Sequence, residues 1–270
     1  MNISVFYENI HDGAQAAGVG VTELLARLRD AGMENIYLSA DSWKRDRELL
    51  RGALGPLGLR VGGMHAFCDF PGQTGAGYRE LIDLAADSGA DDLLFVPGML
   101  STGNTQRDLE RMAEGMARAV EYGRSVGMPV LMEDYDGLLA PYNCIAGLKY
   151  FLDTVEGLGC AFDTGNFAIF HEDELAAFDL FAEKIRTVHL KDRSTAPRHG
   201  GDTPCACADG KKVYACAVGS GYIRIPEILE RLRNMDFRGN AVVELYACDP
   251  RHFLRDALDS LQWLRSRAEV

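Results

Sequence analysis

No uncharged apolar run in this chain approaches the length of a membrane span. The opening residues, Met1-Asn2-Ile3-Ser4-Val5-Phe6-Tyr7-Glu8, lack the basic segment and long apolar core of an export signal. Positive charge is scarce: Lys and Arg number 28 against 40 Asp and Glu, a formal net charge of −12. Nucleic-acid binding demands a basic footprint for the phosphates, so that class of partner is excluded. A small anionic ligand stays open, because a local Lys/Arg cluster can reverse the sign inside a cleft. No Cys-x-x-Cys pair is present, and the seven cysteines are scattered and odd in number. That pattern fits reduced thiols in a cytoplasmic protein, not a disulfide framework or a zinc module.

What the chain does have is apolar bulk and rhythm. Of its 270 residues, 47% are hydrophobic, enough for a sizeable core within one domain spanning 1–270. Strand-like and helix-like segments alternate. Residues 2–8, 35–40, 59–67 and 92–96 read as the first four strands. Residues 21–31, 78–88 and 106–126 have helical spacing, and each is followed by a glycine stop (Gly32, Gly89, Gly127). Four more strands lead to Glu133, Asp163, His189 and Glu244. Asp249-Pro250 then opens a final helix, with Asp as its cap and Pro in its first turn. Eight strands alternating with helices predict an α/β fold, a closed parallel (β/α)₈ TIM barrel, at a length near the roughly 250 residues typical of one. From Arg193 to Gly221 the rhythm fails in a Gly-, Pro- and Cys-rich stretch. A long loop leaving the seventh strand there reads as a lid or wall over the active face.

Four runs end in a metal-ligand side chain: Pro129-Val130-Leu131-Met132-Glu133, Cys160-Ala161-Phe162-Asp163, Ile185-Arg186-Thr187-Val188-His189 and Ala241-Val242-Val243-Glu244. A parallel barrel gathers the C-terminal ends of its strands on one face, where such enzymes keep their active sites. Three carboxylates and an imidazole form an oxygen-rich, moderately hard set. It suits one divalent ion, Mn²⁺ first, with Mg²⁺, Co²⁺, Fe²⁺ or Zn²⁺ as alternatives. Such an ion, held on adjacent carbonyl and hydroxyl oxygens, acidifies the C–H between them and stabilises an enediolate. Glu133 and Glu244, three strands apart around the ring, then read as catalytic acid/base groups as well as ligands.

These residues carry a resemblance. The segments Met132-Glu133-Asp134, Phe162-Asp163-Thr164-Gly165-Asn166, Val188-His189-Leu190-Lys191-Asp192, Val218-Gly219-Ser220-Gly221 and Val243-Glu244 resemble the xylose-isomerase-like barrel superfamily. That group holds sugar (phosphate) isomerases and epimerases, ketose 3-epimerases, hydroxypyruvate isomerase, inosose dehydratase and endonuclease IV. The resemblance implies Glu133, Asp163, His189 and Glu244 as metal ligands and a sugar or polyol as substrate, with homo-oligomers common in the group. Three positions depart from the ketose 3-epimerase pattern: Asn166, Thr195 and Leu139 stand where those enzymes carry His, Arg and Glu. His65 stands where endonuclease IV has one of its extra histidines, but the fourth strand ends in Pro97-Gly98 and the aspartate-x-histidine pair expected after the seventh strand is absent.

The expected activity is therefore a metal-dependent sugar isomerase or epimerase of carbohydrate metabolism. The alternatives are a lyase on the same site (inosose dehydratase-like or carbon–glycoside-cleaving) and an inactive binding barrel. Tyr7, His65, Asn166, Lys191, Arg193 and Arg198 are the candidate substrate contacts, with Phe67 a candidate pocket wall. Gly219-Ser220-Gly221 reads as a tight turn in preference to a phosphate cradle. Cys205, Cys207 and Cys216 read as free thiols, Glu172-Asp173-Glu174 as a helix N-terminus, and Asp91-Asp92 as structural acids on the opposite barrel face.

Overall fold

The computed structural model describes residues 1–72, 77–100 and 105–268. Strands β1 (Asn2–Phe6), β2 (Asn35–Ser39), β3 (Arg60–Phe67), β4 (Leu93–Val96), β5 (Val130–Glu133), β6 (Gly159–Asp163) and β7 (Ile185–Leu190) are followed by three short strands, β8 (Asp192–Ser194), β9 (Cys205–Ala206) and β10 (Lys212–Cys216), and then by β11 (Asn240–Val243). Strands β1 to β7 and β11 close a parallel barrel in the order β1-β11-β7-β6-β5-β4-β3-β2. The helices are α1 (Tyr7–Ala17), α2 (Val21–Asp30), α3 (Ala40–Leu57), α4 (Gly77–Ser88), α5 (Thr105–Val126), α6 (Ile145–Thr154), α7 (Glu174–Phe181), α8 (Ile225–Asn234) and α9 (Phe253–Ala268).

Two expectations need correction. The first strand stops at Phe6, and Tyr7 is already the first residue of α1. The stretch 193–221 is not structureless: β8, β10 and β9 form a three-stranded antiparallel sheet in that order. Alternation in Lys212-Val213-Tyr214-Ala215-Cys216 is the signal that the surrounding glycines and prolines obscured.

Strand pleating separates two cores. Successive side chains point to opposite faces of a strand. Phe6, Tyr37, Leu94, Leu131, Ala161 and Val242 meet inside the barrel. Their chain neighbours Val5, Ile36, Leu93, Met132, Phe162 and Val243 pack outward into the larger core shared with the helices. At the lower end Asn240 acts as a polar plug. Its Oδ1 accepts from Asn35 Nδ2 at 3.1 Å and Ser4 Oγ at 3.3 Å, and its Nδ2 donates to the Gly62 carbonyl at 2.8 Å.

Asp92 lies one layer nearer the active face and is almost wholly buried. It accepts hydrogen bonds from Thr187 Oγ1 (2.6 Å) and the Tyr37 hydroxyl (3.1 Å). Gly63 makes room for this pair, since a Cβ there would stand 2.2 Å from the Tyr37 ring and 2.7 Å from Asp92 Oδ1. Asp92 is structural as expected, but it sits inside the barrel beneath the candidate site.

Burial pushes the Asp92 carboxyl up to about 6, above its ordinary 3.8, although its two hydrogen bonds pull the other way. A carboxyl raised on folding contributes most below its unfolded value, and that contribution is lost as pH rises through the folded value. Between pH 4 and pH 7 the wild type should therefore lose on the order of 3 kcal/mol relative to Asp92→Asn. Urea unfolding of both proteins across that range checks this; parallel stability profiles would show that Asp92 does not titrate in this window.

Candidate metal centre

Four strand ends converge because each candidate ligand sits one pleat above an inward-facing residue. Glu133 follows Leu131 by two positions, Asp163 follows Ala161, His189 follows Thr187, and Glu244 follows Val242. Parallel register sets Asp163 beside His189 and Val242 beside His189. Glu244 stands one residue past β11, its N–H donating to the Leu190 carbonyl at 3.2 Å. All four residues are buried.

Side-chain atoms of Glu133, Asp163 and His189 lie within 4.8 Å of one another. Glu133 Oε2 approaches His189 Nδ1 to 3.0 Å, and Glu244 Oε2 approaches it to 3.5 Å. These are ionic contacts without hydrogen-bond alignment, for both ring nitrogens of His189 are buried and lack a hydrogen-bond partner. The ring is held edge-on to Phe6 and Tyr37, at centroid distances of 5.0 and 5.3 Å. Burial alone would depress the His189 pKa, but the carboxylates of Glu133, Glu244 and Asp163 together hold it above its ordinary value.

Asp163 is aimed by its own turn. Its Oδ1 accepts from the backbone N–H of Gly165 (2.7 Å) and Asn166 (2.9 Å), leaving the buried Oδ2 with no hydrogen bond. A carboxylate oxygen with no hydrogen bond but with the Lys191 ammonium at 3.1 Å, beside the His189 imidazole and a second carboxylate, is a donor set that fits a divalent cation. Glu133, Asp163 and His189 are grouped closely enough to hold one, and the Glu244 carboxylate stands 3.5 Å from the same imidazole.

The cavity above these groups measures about 240 Å³. Its polar wall is Glu133, Glu244, His189, Lys191, Asn166, Asp136 and His65. Its apolar wall is Phe6, Phe67, Leu94, Val96, Tyr135 and Tyr246. Phe67 is 63% exposed at the rim and meets Tyr135 edge-to-face at 6.2 Å. His65 stacks parallel to Tyr37 at 6.2 Å. Burial lowers its pKa despite the nearby Glu8 and Glu133 carboxylates, which favours a neutral ring.

Behind the cavity, Asn166 organises a cationic corner. Its Nδ2 donates to the Asp134 carbonyl at 2.6 Å, and its Oδ1 accepts from Lys191 Nζ (2.9 Å) and Arg193 Nη2 (3.2 Å). Arg193 is buried and also reaches Asp136 Oδ2 at 3.2 Å. It thus stands behind Asn166 and outside the residues that line the cavity.

Two candidate substrate contacts lie elsewhere. The Tyr7 hydroxyl donates to Asp46 Oδ2 at 2.9 Å, and its ring is fully buried in the outer core. It starts a helix, so the inward position belongs to Phe6. Arg198 pairs with Asp256 at 3.3 Å and Asp259 at 2.8 Å and donates to Ser220 Oγ, which ties the long segment to α9. The Gly219 and Gly221 N–H groups donate to Asp192 Oδ2 at 2.9 and 2.8 Å. An internal carboxylate therefore fills the turn that a phosphate would need. All seven cysteines are free.

Sequence reasoning missed Asp136, Tyr135 and Tyr246. Tyr246 carried a usable signal, being one pleat beyond Glu244. Asp136 had none, because its partners Lys191 and Arg193 are 55 and 57 positions away.

The family model described as the xylose isomerase-like TIM barrel matches residues 12–267, and the chain belongs to that family. The chain is 25% identical over 142 residues to inosose dehydratase of Lacticaseibacillus casei, a match covering 52% of this chain and 48% of that protein. It thus spans about half the length of the curated relatives it matches. The probable 3-DHS dehydratase AsbF of Bacillus anthracis, involved in petrobactin synthesis, superposes with a TM-score of 0.74 at 16% identity, over 98% of this chain and 99% of that one. A D-allulose 3-epimerase of Methylomonas sp. in complex with D-allulose gives 0.72 at 17%, over 99% and 97%. The 3-keto-D-glucoside 4-epimerase YcjR of E. coli gives 0.69 at 16%, over 98% and 99%. Identities this low show a shared fold alone.

A ligand that binds only the folded state at a hundredfold excess over its Kd stabilises by about 3 kcal/mol. Mn²⁺ at that excess should therefore raise the melting temperature of the wild type, and EDTA should reverse the gain. Asp163→Asn, which keeps the turn but removes the ligand charge, should lose most of the effect. A wild-type melting curve indifferent to Mn²⁺ and EDTA would count against the centre.

Proposed function

We propose that this member of the xylose isomerase-like TIM barrel family is a divalent-metal-dependent sugar isomerase or epimerase that moves a proton at a carbon next to a carbonyl. One observation carries the reading: two carboxylates from strands three apart, Glu133 and Glu244, converge on His189 at 3.0 and 3.5 Å in a cavity sized for a small molecule. Glu133, Asp163, His189 and Glu244 would hold the ion, with Mn²⁺ favoured by the donor set. When bound, a divalent ion would polarise a carbonyl and its neighbouring hydroxyl and so acidify the C–H between them.

The chain's own groups do the rest. One glutamate takes the proton at its carboxylate oxygen, and the other returns one to the neighbouring carbon or the opposite face. Without a bound metal, burial pushes the Glu244 carboxyl up to about 7, against the pull of Lys191; a cation held beside it would lower that value and favour the carboxylate that takes the proton. Lys191, Asn166 and His65 present donors to the substrate's oxygens. Asp136 and Tyr246 join this binding set, and Arg193 supports it through Asn166. Tyr7 and Arg198 are left out. Phe67, Tyr135 and Tyr246 would cover the carbon side of the substrate and exclude water. Acidic charge and free thiols suit a cytoplasmic setting; among the described residues no helix is long and apolar enough to cross a membrane.

A second reading, dehydration, is favoured by the match to inosose dehydratase. It begins with the same proton removal, and a leaving group on the next carbon then departs.

Incubation with Mn²⁺ in D₂O across a panel of free and phosphorylated ketoses, aldoses and keto-inositols separates the two. Deuterium beside the carbonyl with no loss of water supports isomerisation or epimerisation, and loss of water moves the assignment to dehydration. Glu133→Gln and Glu244→Gln should each cut turnover by roughly 10²-fold or more with an unchanged circular dichroism spectrum. Wild-type rates in either variant remove that glutamate from the proton-transfer role.

A further inference from the structure

Lys191 carries an ammonium in an unusual place. The residue is 4% exposed, and its Nζ lies 2.6 Å from Glu244 Oε1 and 3.1 Å from Asp163 Oδ2. Both carboxylates belong to the proposed ligand set. Every acid of the set thus has a partner within the chain: Glu133 has His189, and Asp163 and Glu244 share Lys191.

A divalent cation needs the same lone pairs. An ammonium and a dication held on shared oxygens a few ångströms apart repel strongly at the low effective dielectric of a buried site. The ammonium has a second seat within reach. Nζ already donates to Asn166 Oδ1 at 2.9 Å, and Asp136 Oδ2 is 3.7 Å away at the cavity edge, where it is 32% exposed. A lysine stem is flexible enough for a shift of that size.

Building on the metal reading above, we propose that Lys191 is the resident counter-cation of the metal centre. Its ammonium holds Glu244 and Asp163 together until a divalent ion binds, then keeps its bond to Asn166 and swings to Asp136, where it faces the substrate. Metal affinity is then set partly by the cost of moving this lysine. Lys191 also keeps the buried carboxylates from forcing one another apart.

The test uses the full chain with Mn²⁺ as the probe. Calorimetric titration and thermal unfolding, with and without Mn²⁺, are compared for the wild type and Lys191→Met. The variant should melt lower than the wild type in EDTA, bind Mn²⁺ roughly tenfold tighter or more, and gain more from it in melting temperature. Equal affinity and equal gain overturn the role of Lys191 while leaving the metal reading intact. Binding by Lys191→Met alone overturns the exchange in the natural chain together with the metal reading for it. Binding by neither overturns both. Should Lys191→Met fail to fold, crystal structures of the wild type grown with EDTA and with Mn²⁺ decide. The Nζ should leave Glu244 for Asp136 when Mn²⁺ is bound, and an unbroken Nζ–Glu244 contact beside a bound ion overturns the proposal.

Discussion

A β-strand alternates its side chains between two faces, and in this barrel that alternation governs which residues can meet. Leu131, Ala161 and Val242 point inward and join the apolar interior. The residue two positions on is then forced to the same face at the barrel mouth, where it is Glu133, Asp163 or Glu244. His189 stands above Thr187 in the same way. No loop conformation has to be specified to bring these four side chains together, since the hydrogen-bonded ladders already fix their heights. Catalytic groups carried on such ladders are placed more rigidly than groups on loops.

The same alternation creates an electrostatic problem. Buried carboxylates crowd the mouth, and each would be unstable alone in that environment. The chain answers in three ways. It supplies cations, with Lys191 and Arg193 facing Asp163, Glu244 and Asp136. It supplies backbone N–H donors, two of which fix Asp163 Oδ1. Where neither is available, protonation remains: burial, then the charges of Asp163 and Glu133, drive the Asp134 pKa well above the carboxylate range. Protonation of Asp134 is thereby favoured behind the candidate ligands, which limits the negative charge beside them.

The sequence made the ladder legible and left the cross-ladder contacts hidden. Apolar runs ending in Glu, Asp or His announce a strand and a polar group at its end, which is why the barrel and the convergence of these four residues could be read directly. A boundary two residues too long caused one error. Extending the first strand past Phe6 moved attention to Tyr7, whose side chain faces the opposite core and bonds Asp46. Asp136 was invisible for a different reason. Its importance lies in contacts with Lys191 and Arg193, and no periodicity connects residues brought together only by closure of the ring. Arg198 looked equivalent to Arg193 by composition, but it lies beyond the end of β8 and turns to Asp256 and Asp259 on α9.

The long segment after β7 is better understood as a buttress than as a lid. None of residues 194–221 is among those lining the cavity. Asp192 anchors the return of the segment by accepting from the N–H groups of Gly219, Gly221 and Ile223. A Cβ on Gly221 would stand 2.1 Å from Asp192 Oδ1, so glycine is what lets that backbone close on the carboxylate. Pairing of β10 with β8 then locks Arg193 opposite Ala215. Arg193 in turn reaches Gly165, Asn166 and Asp136, the groups that set the position of Lys191. The small sheet therefore acts on the candidate centre without touching it, through one buried arginine. A lid would have to move for substrate to enter, whereas this segment has to stay in place for the cationic corner to hold its charge.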